Sequence, residues 1–470
     1  MVFSSSIFLF FFLPLVVIGY YLLNKNFRIY FLLLASLLFY AWGEPRYILI
    51  MLLSITINYT FGLFINASIF SRKRFFAKVL LILATTGNLG ILFYFKYLNF
   101  TLSTVNRVFN TSFTLHAIVM PIGISFFTFQ GMSYVIDLYW QKVKVQRNPA
   151  KLAFFISFFP QLIAGPIVRY IDIKKQIYHR TESLEKFIAG AERFIIGLAK
   201  KVIIANNMGY VADLVFANQA LENTHATAWL GIICYTFQIY FDFSGYSDMA
   251  IGLGRLFGFE FLENFNYPYI SKTITEFWRR WHISLSSWFR DYVYIPLGGN
   301  RKGNVYVNLL IVFVLTGFWH GANFQFLAWG LWHGLFLIVE RLSETRGVQN
   351  KKFVPLRYMM TSLIVIIGWV FFRSPGLRYA FSFLGIMFGL AQPENVGFTI
   401  WYYLSPKVVF LLCLAAITST PVFKRQLDSL RVRNTVFLKY ITPVLILALF
   451  FVCMVFVTSS SYNPFIYFRF

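Results

Sequence analysis

The chain is short of acid. It has 18 Asp and Glu among 470 residues, against 42 Lys and Arg, and charged residues of both signs make up only 13% of it. Soluble domains carry about 25%. Cysteine is scarce too: Cys234, Cys413 and Cys453 are odd in number and all lie in apolar stretches, which argues against a disulfide framework or a thiolate metal site. They read as small buried hydrophobes. There is no CxxC, no HExxH, no phosphate-binding GxxxxGK and no GxSxG. The glycines Gly252, Gly254 and Gly258 are spaced GxGxxxG at the end of an apolar helix. No βαβ pattern surrounds them, so they read as helix-packing positions rather than a dinucleotide loop. No internal repeat, low-complexity linker or soluble segment interrupts the chain, and it reads as a single domain spanning 1–470.

What fills the space is apolar. Hydrophobic residues make up 58% of the chain, aromatic residues 21%, and Phe alone contributes 58 positions. A soluble interior has no room for that much apolar surface, so lipid is the expected solvent. The formal net charge of +24 would suggest nucleic acid in a soluble protein. Here the basic residues fall between apolar runs, as at Arg72, Lys73, Arg74 and Lys78, or Lys142, Lys144, Arg147 and Lys151. That is the placement of cytoplasmic loops facing anionic lipid, and no nucleic-acid partner is expected.

Apolar runs of helical length are expected at 7–23, 29–42, 47–65, 79–95, 117–139, 152–168, 187–215, 226–256, 305–320, 323–340, 356–373, 379–391, 405–420 and 435–458. Several are shorter than the ~20 residues of a perpendicular span, so about 11 true spans are expected, the others re-entrant or interfacial. The first run lacks a basic leader and a small-residue cleavage site, and reads as a retained span. Basic loops 24–28, 66–78 and 421–434 belong inside by the positive-inside rule, which puts both termini outside.

One stretch departs from this pattern. In 271–304, Trp278, Trp281, Leu285, Trp288 and Phe289 recur at helical steps among Arg279, Arg280 and Arg290. A basic amphipathic helix at the cytoplasmic interface, or folded partly into the protein, fits it. Pro296 to Asn300 should end it in a turn.

Ionisable groups in apolar runs are expensive and ask for a reason. Asp242, Asp248 and Arg255 lie in run 226–256; the last two are seven residues apart and share a helix face. A structural network between helices is the first expectation, a substrate-facing role the second. His320 closes an apolar run between Trp319 and Gly321, and His333 follows thirteen residues later. On one continuous helix they would be ~20 Å apart, unable to serve one reacting atom, unless the chain breaks at Gly321-Ala322-Asn323. His282, His320 and His333 each follow a Trp, and the last two occur as Trp-His-Gly. A desolvated imidazole there is expected neutral and ready to take a proton. His116, His179 and His225 sit in loops or span ends and carry no such pattern.

The stretches FWRRWHISLSSWFRDYVYIPLGGNRKG at 277–303 and GFWHGANFQFLAWGLWHG at 317–334 resemble the membrane-bound O-acyltransferase family, specifically its bacterial alginate O-acetyltransferase branch. MVFSSSIFLFFFLPL, LFYAWGEP, PIGISFFTFQGMSYVIDLY, FFPQLIAGPIVRY, FQIYFDFSGYSDMAIGLGRLFGF, WVFFRSP and NPFIYFRF are similar as well. The resemblance covers nearly the whole chain without a large departure. It implies an all-α polytopic membrane protein whose helices form a ring around a central tunnel. It implies His320 deep in the tunnel as the essential catalytic residue and His282 toward the cytoplasm. With Arg279 or Arg280 nearby, His282 is expected to orient the donor or to stabilise developing negative charge. It further implies no tightly bound cofactor, acetyl-CoA or another acyl thioester as donor, and transfer across the cell inner membrane to a hydroxyl for O-acetylation of an extracellular or cell-wall polysaccharide. The partner implied is a periplasmic or membrane-anchored SGNH-type acetyltransferase. D-alanyl transfer to teichoic acid is the neighbouring alternative. A transporter or flippase is the rival from another class, although the two similar halves common in transporters are absent.

Overall fold

In the computed structural model the described residues are 1–163, 165–345, 354–433, 435–459, 462–464 and 466, and among them there is no strand. The chain is an all-helical, multi-pass membrane protein. Among the described residues, four helical stretches are long and apolar enough to cross a bilayer: Ile48–Phe70, Arg74–Phe109, Val354–Arg373 and Tyr440–Ser459. Shorter apolar helices include Phe8–Leu22, Arg28–Gly43, Val305–His320, Leu377–Met387 and Pro406–Thr418.

Two compact units are distinguished, one formed by Met1–Phe194 with Ser247–Leu262, the other by Ile195–Tyr246 with Glu263–Phe470. In the first, Ile48–Phe70, Arg74–Leu92 and Ile124–Tyr139 pack together. Their contact is glued by amides. Asn58 donates to Asn88 Oδ1 at 3.0 Å, Asn88 returns a bond to Asn58 Oδ1 at 3.1 Å, and Ser54 adds a third at 3.0 Å. Gly131 lets the third helix in, because a Cβ there would stand 2.3 Å from Asn58 Nδ2. Such interhelical bonds contribute about 0.6 kcal/mol each in lipid, up to about 1.7.

The expected run 152–168 is not one helix. Pro149–Ser157 ends at Phe158, whose ψ of 112° turns the chain before the short helix Phe159–Leu162. The residues from Phe154 through Ile163 are all buried. The run is apolar because protein surrounds it, not lipid, and the Ser36 hydroxyl accepts the Phe159 amide (3.1 Å) that the break releases. Ile124–Tyr139 likewise begins later than the run 117–139, since Asn99 and Asn106 side chains hold the backbone of His116 and Phe113 in an irregular segment.

The expected run 187–215 contains a π-turn, Lys200–Ala205, between Leu184–Ala199 and Asn206–Ala217. The turn belongs to a region that holds an ion pair, Lys201 to Asp242 at 2.6 Å, with both side chains 1% exposed. The Ile466 amide donates to Asp242 (3.1 Å) and the Pro464 carbonyl accepts from Lys201, so the pair is bonded on further sides. Tyr462 and Arg373 both donate to Asp213, at 2.6 and 2.8 Å. The expected loop 421–434 is mostly helix, Val422–Arg433. The side chains of Asp428, Arg431 and Arg433 lie outside the described residues, as does the terminal stretch 467–470.

Candidate functional site

The Val305–His320 and Phe324–Thr345 helices form a close hairpin. Glycine permits the approach: a Cβ on Gly317 would lie 2.3 Å from the Phe326 carbonyl oxygen, and one on Gly330 would lie 2.3 Å from that of Phe313. The chain does break where the sequence allowed it. His320 is the last helical residue, Gly321 is extended, and Asn323 starts the next helix by accepting the Phe324 amide at 2.8 Å. Gly321 is needed for bulk rather than for φ, since a Cβ would be 2.2 Å from the Phe326 ring. His320 and His333 therefore belong to two packed helices, not to one rod.

His320 is 4% exposed. Three rings surround its imidazole edge to face, Trp319 at 4.9 Å, Trp329 at 5.0 Å and Phe372 at 5.1 Å between centroids. His282 is 1% exposed and stands between two short helices, Ile274–Arg280 and Ile283–Phe289. The single amphipathic helix over Trp278 to Phe289 is thus replaced by two. The joint is His282 itself, at φ 44°, ψ 54°, a left-handed conformation that a non-glycine residue adopts only under constraint. Asn264 supplies the constraint: its carbonyl accepts the Ile283 amide (2.9 Å), and its side chain accepts both the amide and hydroxyl of Ser284 (3.0 and 2.9 Å). The tryptophans of the stripe are buried, which fits the alternative of a segment folded into the protein, and the chain then turns at Gly298 and Gly299, both with positive φ, as the Pro296-Leu297-Gly298-Gly299-Asn300 pattern expects.

The two candidate histidines meet through one ring. Trp319 lies 6.3 Å from the His282 imidazole, and 4.9 Å from that of His320. A second tryptophan extends the series, as Trp329 stands 5.3 Å from His333. His333 is 0% exposed, walled by Trp278 at 5.2 Å and Phe277 at 6.2 Å, with neither ring nitrogen hydrogen-bonded among the described residues. Sequence reasoning named His320 and His282 as the site, with His333 sharing their Trp-His pattern, but missed Asn264 and the bridging role of Trp319 and Trp329. The doubled Trp-His-Gly was the available signal for the rings; nothing local marked Asn264.

The remaining candidates have ordinary partners. Asp248 pairs with Arg193 at 2.6 Å, and Asp242 with Lys201, so the acids of run 226–256 serve a network between helices. Arg280 bonds Glu276 (2.9 Å) and the Asn266 carbonyl (3.1 Å), and Arg279 is exposed. Gly252 packs on the Gly190 carbonyl, as a helix contact and not a cofactor loop. Cys234 and Cys453 are buried, whereas Cys413 is exposed. His225 bonds the Ile386 carbonyl at 2.6 Å.

The profile of the membrane-bound O-acyltransferase family matches residues 145–390, which contain all three histidines and both bridging tryptophans. A Pseudomonas putida protein named "probable alginate O-acetylase" is 42% identical over the whole of both chains. The chain belongs to the membrane-bound O-acyltransferase family. It is an O-acyltransferase. A Helicobacter pylori peptidoglycan O-acetyltransferase is 35% identical over all of this chain and 98% of its own. A Bacillus subtilis teichoic acid D-alanyltransferase is more distant, 31% identical over 54% of this chain and 67% of its own. Buried imidazoles ringed by indoles are a setting in which an O-acyltransferase can manage a proton while water is kept out.

Proposed function

We propose that this O-acyltransferase supports O-acetylation of an extracellular or cell-wall polysaccharide from the cell inner membrane, with both termini outside. The donor is a cytoplasmic acyl thioester, acetyl-CoA or a carrier-bound acyl group. A tunnel brings it to His320 from one face and admits an acceptor hydroxyl from the other. That hydroxyl belongs to the polymer or to a periplasmic SGNH-type partner. His320 takes the hydroxyl proton as the oxygen attacks the carbonyl, and returns it to the departing thiolate. His282 orients the donor on the cytoplasmic side. Full-length similarity to a probable alginate O-acetylase and a peptidoglycan O-acetyltransferase supports acetyl over D-alanyl, since the D-alanyl relative aligns with about half of this chain.

The observation that carries the reading is the pair of buried imidazoles on one indole, His282 and His320 across Trp319. Replacing His320 with Ala should abolish acetyl ester on the polymer while the protein still reaches the membrane in normal amount. Undiminished acetylation at equal protein level would remove His320 from the chemistry.

A further inference from the structure

Every buried indole N–H needs an acceptor, because burying one unpaired forfeits the hydrogen bond it made to water. Two tryptophans outside the histidine cluster obey this. Trp229 donates to the Met387 carbonyl and Trp332 to the Ile364 carbonyl, each at 2.8 Å. Trp329 lies on the same helix as Trp332, is 0% exposed, and its Nε1 has no acceptor among the described residues. The obvious internal acceptor, a nitrogen of neighbouring His333, is not used, and both His333 nitrogens are themselves unpaired among the described residues. The ring is not loosely placed. It stacks on Trp369 at 17°, meets Phe372 at 5.1 Å and Trp278 at 5.6 Å, and stands at 87° to the His320 imidazole, 5.0 Å away. A rigid, water-excluded donor beside the reacting base, with no partner of its own, has the attributes of a preorganised oxyanion donor.

We propose that the Trp329 indole N–H binds the carbonyl oxygen of the acyl thioester and stabilises the negative charge that develops on it. The inference rests on the acyl-transfer reading above. In the step, the acceptor hydroxyl oxygen forms a bond to the carbonyl carbon and its proton passes to His320. The carbonyl π pair moves onto oxygen, where Trp329 donates to it. That pair then re-forms the carbonyl, the C–S bond breaks, and the thiolate leaves with the proton held by His320. The products are an oxygen ester and a free thiol, with no other reactant required.

The test replaces one N–H and leaves the ring. Full-length protein carrying 3-benzothienylalanine at position 329, in which sulfur stands for the N–H, is produced in cells beside Trp329→Phe, 4-fluorotryptophan at 329, Trp332→Phe and His320→Ala. The initial rate of acetyl ester appearance on the extracellular polymer is measured at equal membrane level. Benzothienylalanine and Phe should each slow the rate by about 10²–10³-fold. Fluorotryptophan, which keeps a donor, should restore it, and Trp332→Phe should leave it within a few fold. A sulfur isostere that sustains transfer within tenfold overturns the proposal. The parent reading fails separately, by acetylation persisting in His320→Ala; dependence on His320 with indifference at 329 removes only the oxyanion role.

Discussion

Two buried polar regions of this protein are built on opposite terms. On the Ile48–Phe70 and Arg74–Leu92 helices, Asn58, Asn88 and Ser54 satisfy one another within about a hydrogen-bond length, and the result is a fixed helix contact. Around His333, the indole nitrogens of Trp278 and Trp329 and both imidazole nitrogens are buried without a hydrogen bond among the described residues. The first region uses polarity to hold helices together where the hydrophobic effect is weak. The second holds its polar atoms in place with aromatic rings instead, and leaves the atoms unspent. A satisfied network explains itself through stability; an unsatisfied one costs stability and points to function. The comparison can be pressed at four places.

The largest effect is expected where a satisfied network carries full charges. Lys201→Met removes the partner of Asp242 at a site where both are 1% exposed. Leaving one buried charge unpaired costs about 3–5 kcal/mol. Thermal unfolding of the detergent-solubilised protein should show a steep loss of midpoint, and membrane level should fall. Lys201→Met with Asp242→Leu should recover much of it, because the uncompensated charge is gone. Equal damage from the double variant would mean that the bonds to Pro464 and Ile466, rather than charge, carry this site.

Next is the hairpin that carries His320. A Cβ on Gly330 would meet a backbone carbonyl at 2.3 Å, an atom that cannot swing aside. Gly330→Ala should cost about 1–3 kcal/mol by overpacking and should lower acetylation further than stability alone explains, since the His320 end of the hairpin must shift. Acetylation falling only in step with protein level would uncouple the hairpin spacing from the chemistry.

How much of this was readable in advance follows from what each feature depends on. The break after His320 was legible because glycine and asparagine there announce a local chain property. The three Trp-His pairs were legible because aromatic and ionisable residues are costly wherever they fall. The division of 152–168 was not: a run buried in protein and a run facing lipid have the same composition, and only the Ser36 bond, from a residue far away in sequence, distinguishes them. The splitting of 278–289 at His282 was hidden for the same reason. Its helical spacing is real, but Asn264 overrides it through tertiary bonds. The partners of Asp242 and Asp248 came from other helices, Lys201 and Arg193, so spacing along one helix was not enough to find them.

A smaller loss is expected from the asparagine network. Asn88→Leu removes bonds to Asn58 and Ser54 and strands their polar atoms in an apolar contact. The expected cost is about 0.6–1.7 kcal/mol, with acetylation per molecule unchanged. A neutral result would make the network decorative and weaken the contrast from its satisfied side.

The smallest effect is also the most discriminating. His333→Phe replaces an imidazole having two unpaired nitrogens with a ring of similar shape, inside walls made by Phe277, Trp278 and Trp329. Replacing unsatisfied polar atoms by apolar ones of the same shape is near neutral or stabilising. The unfolding midpoint should therefore hold or rise slightly, the reverse of the Asn88 result, while acetylation falls by less than about tenfold because Trp329 still separates position 333 from His320. A marked drop in midpoint would show that the His333 nitrogens were satisfied after all, by an internal water, and the distinction between spent and unspent polarity would then have to be redrawn around Trp329 alone.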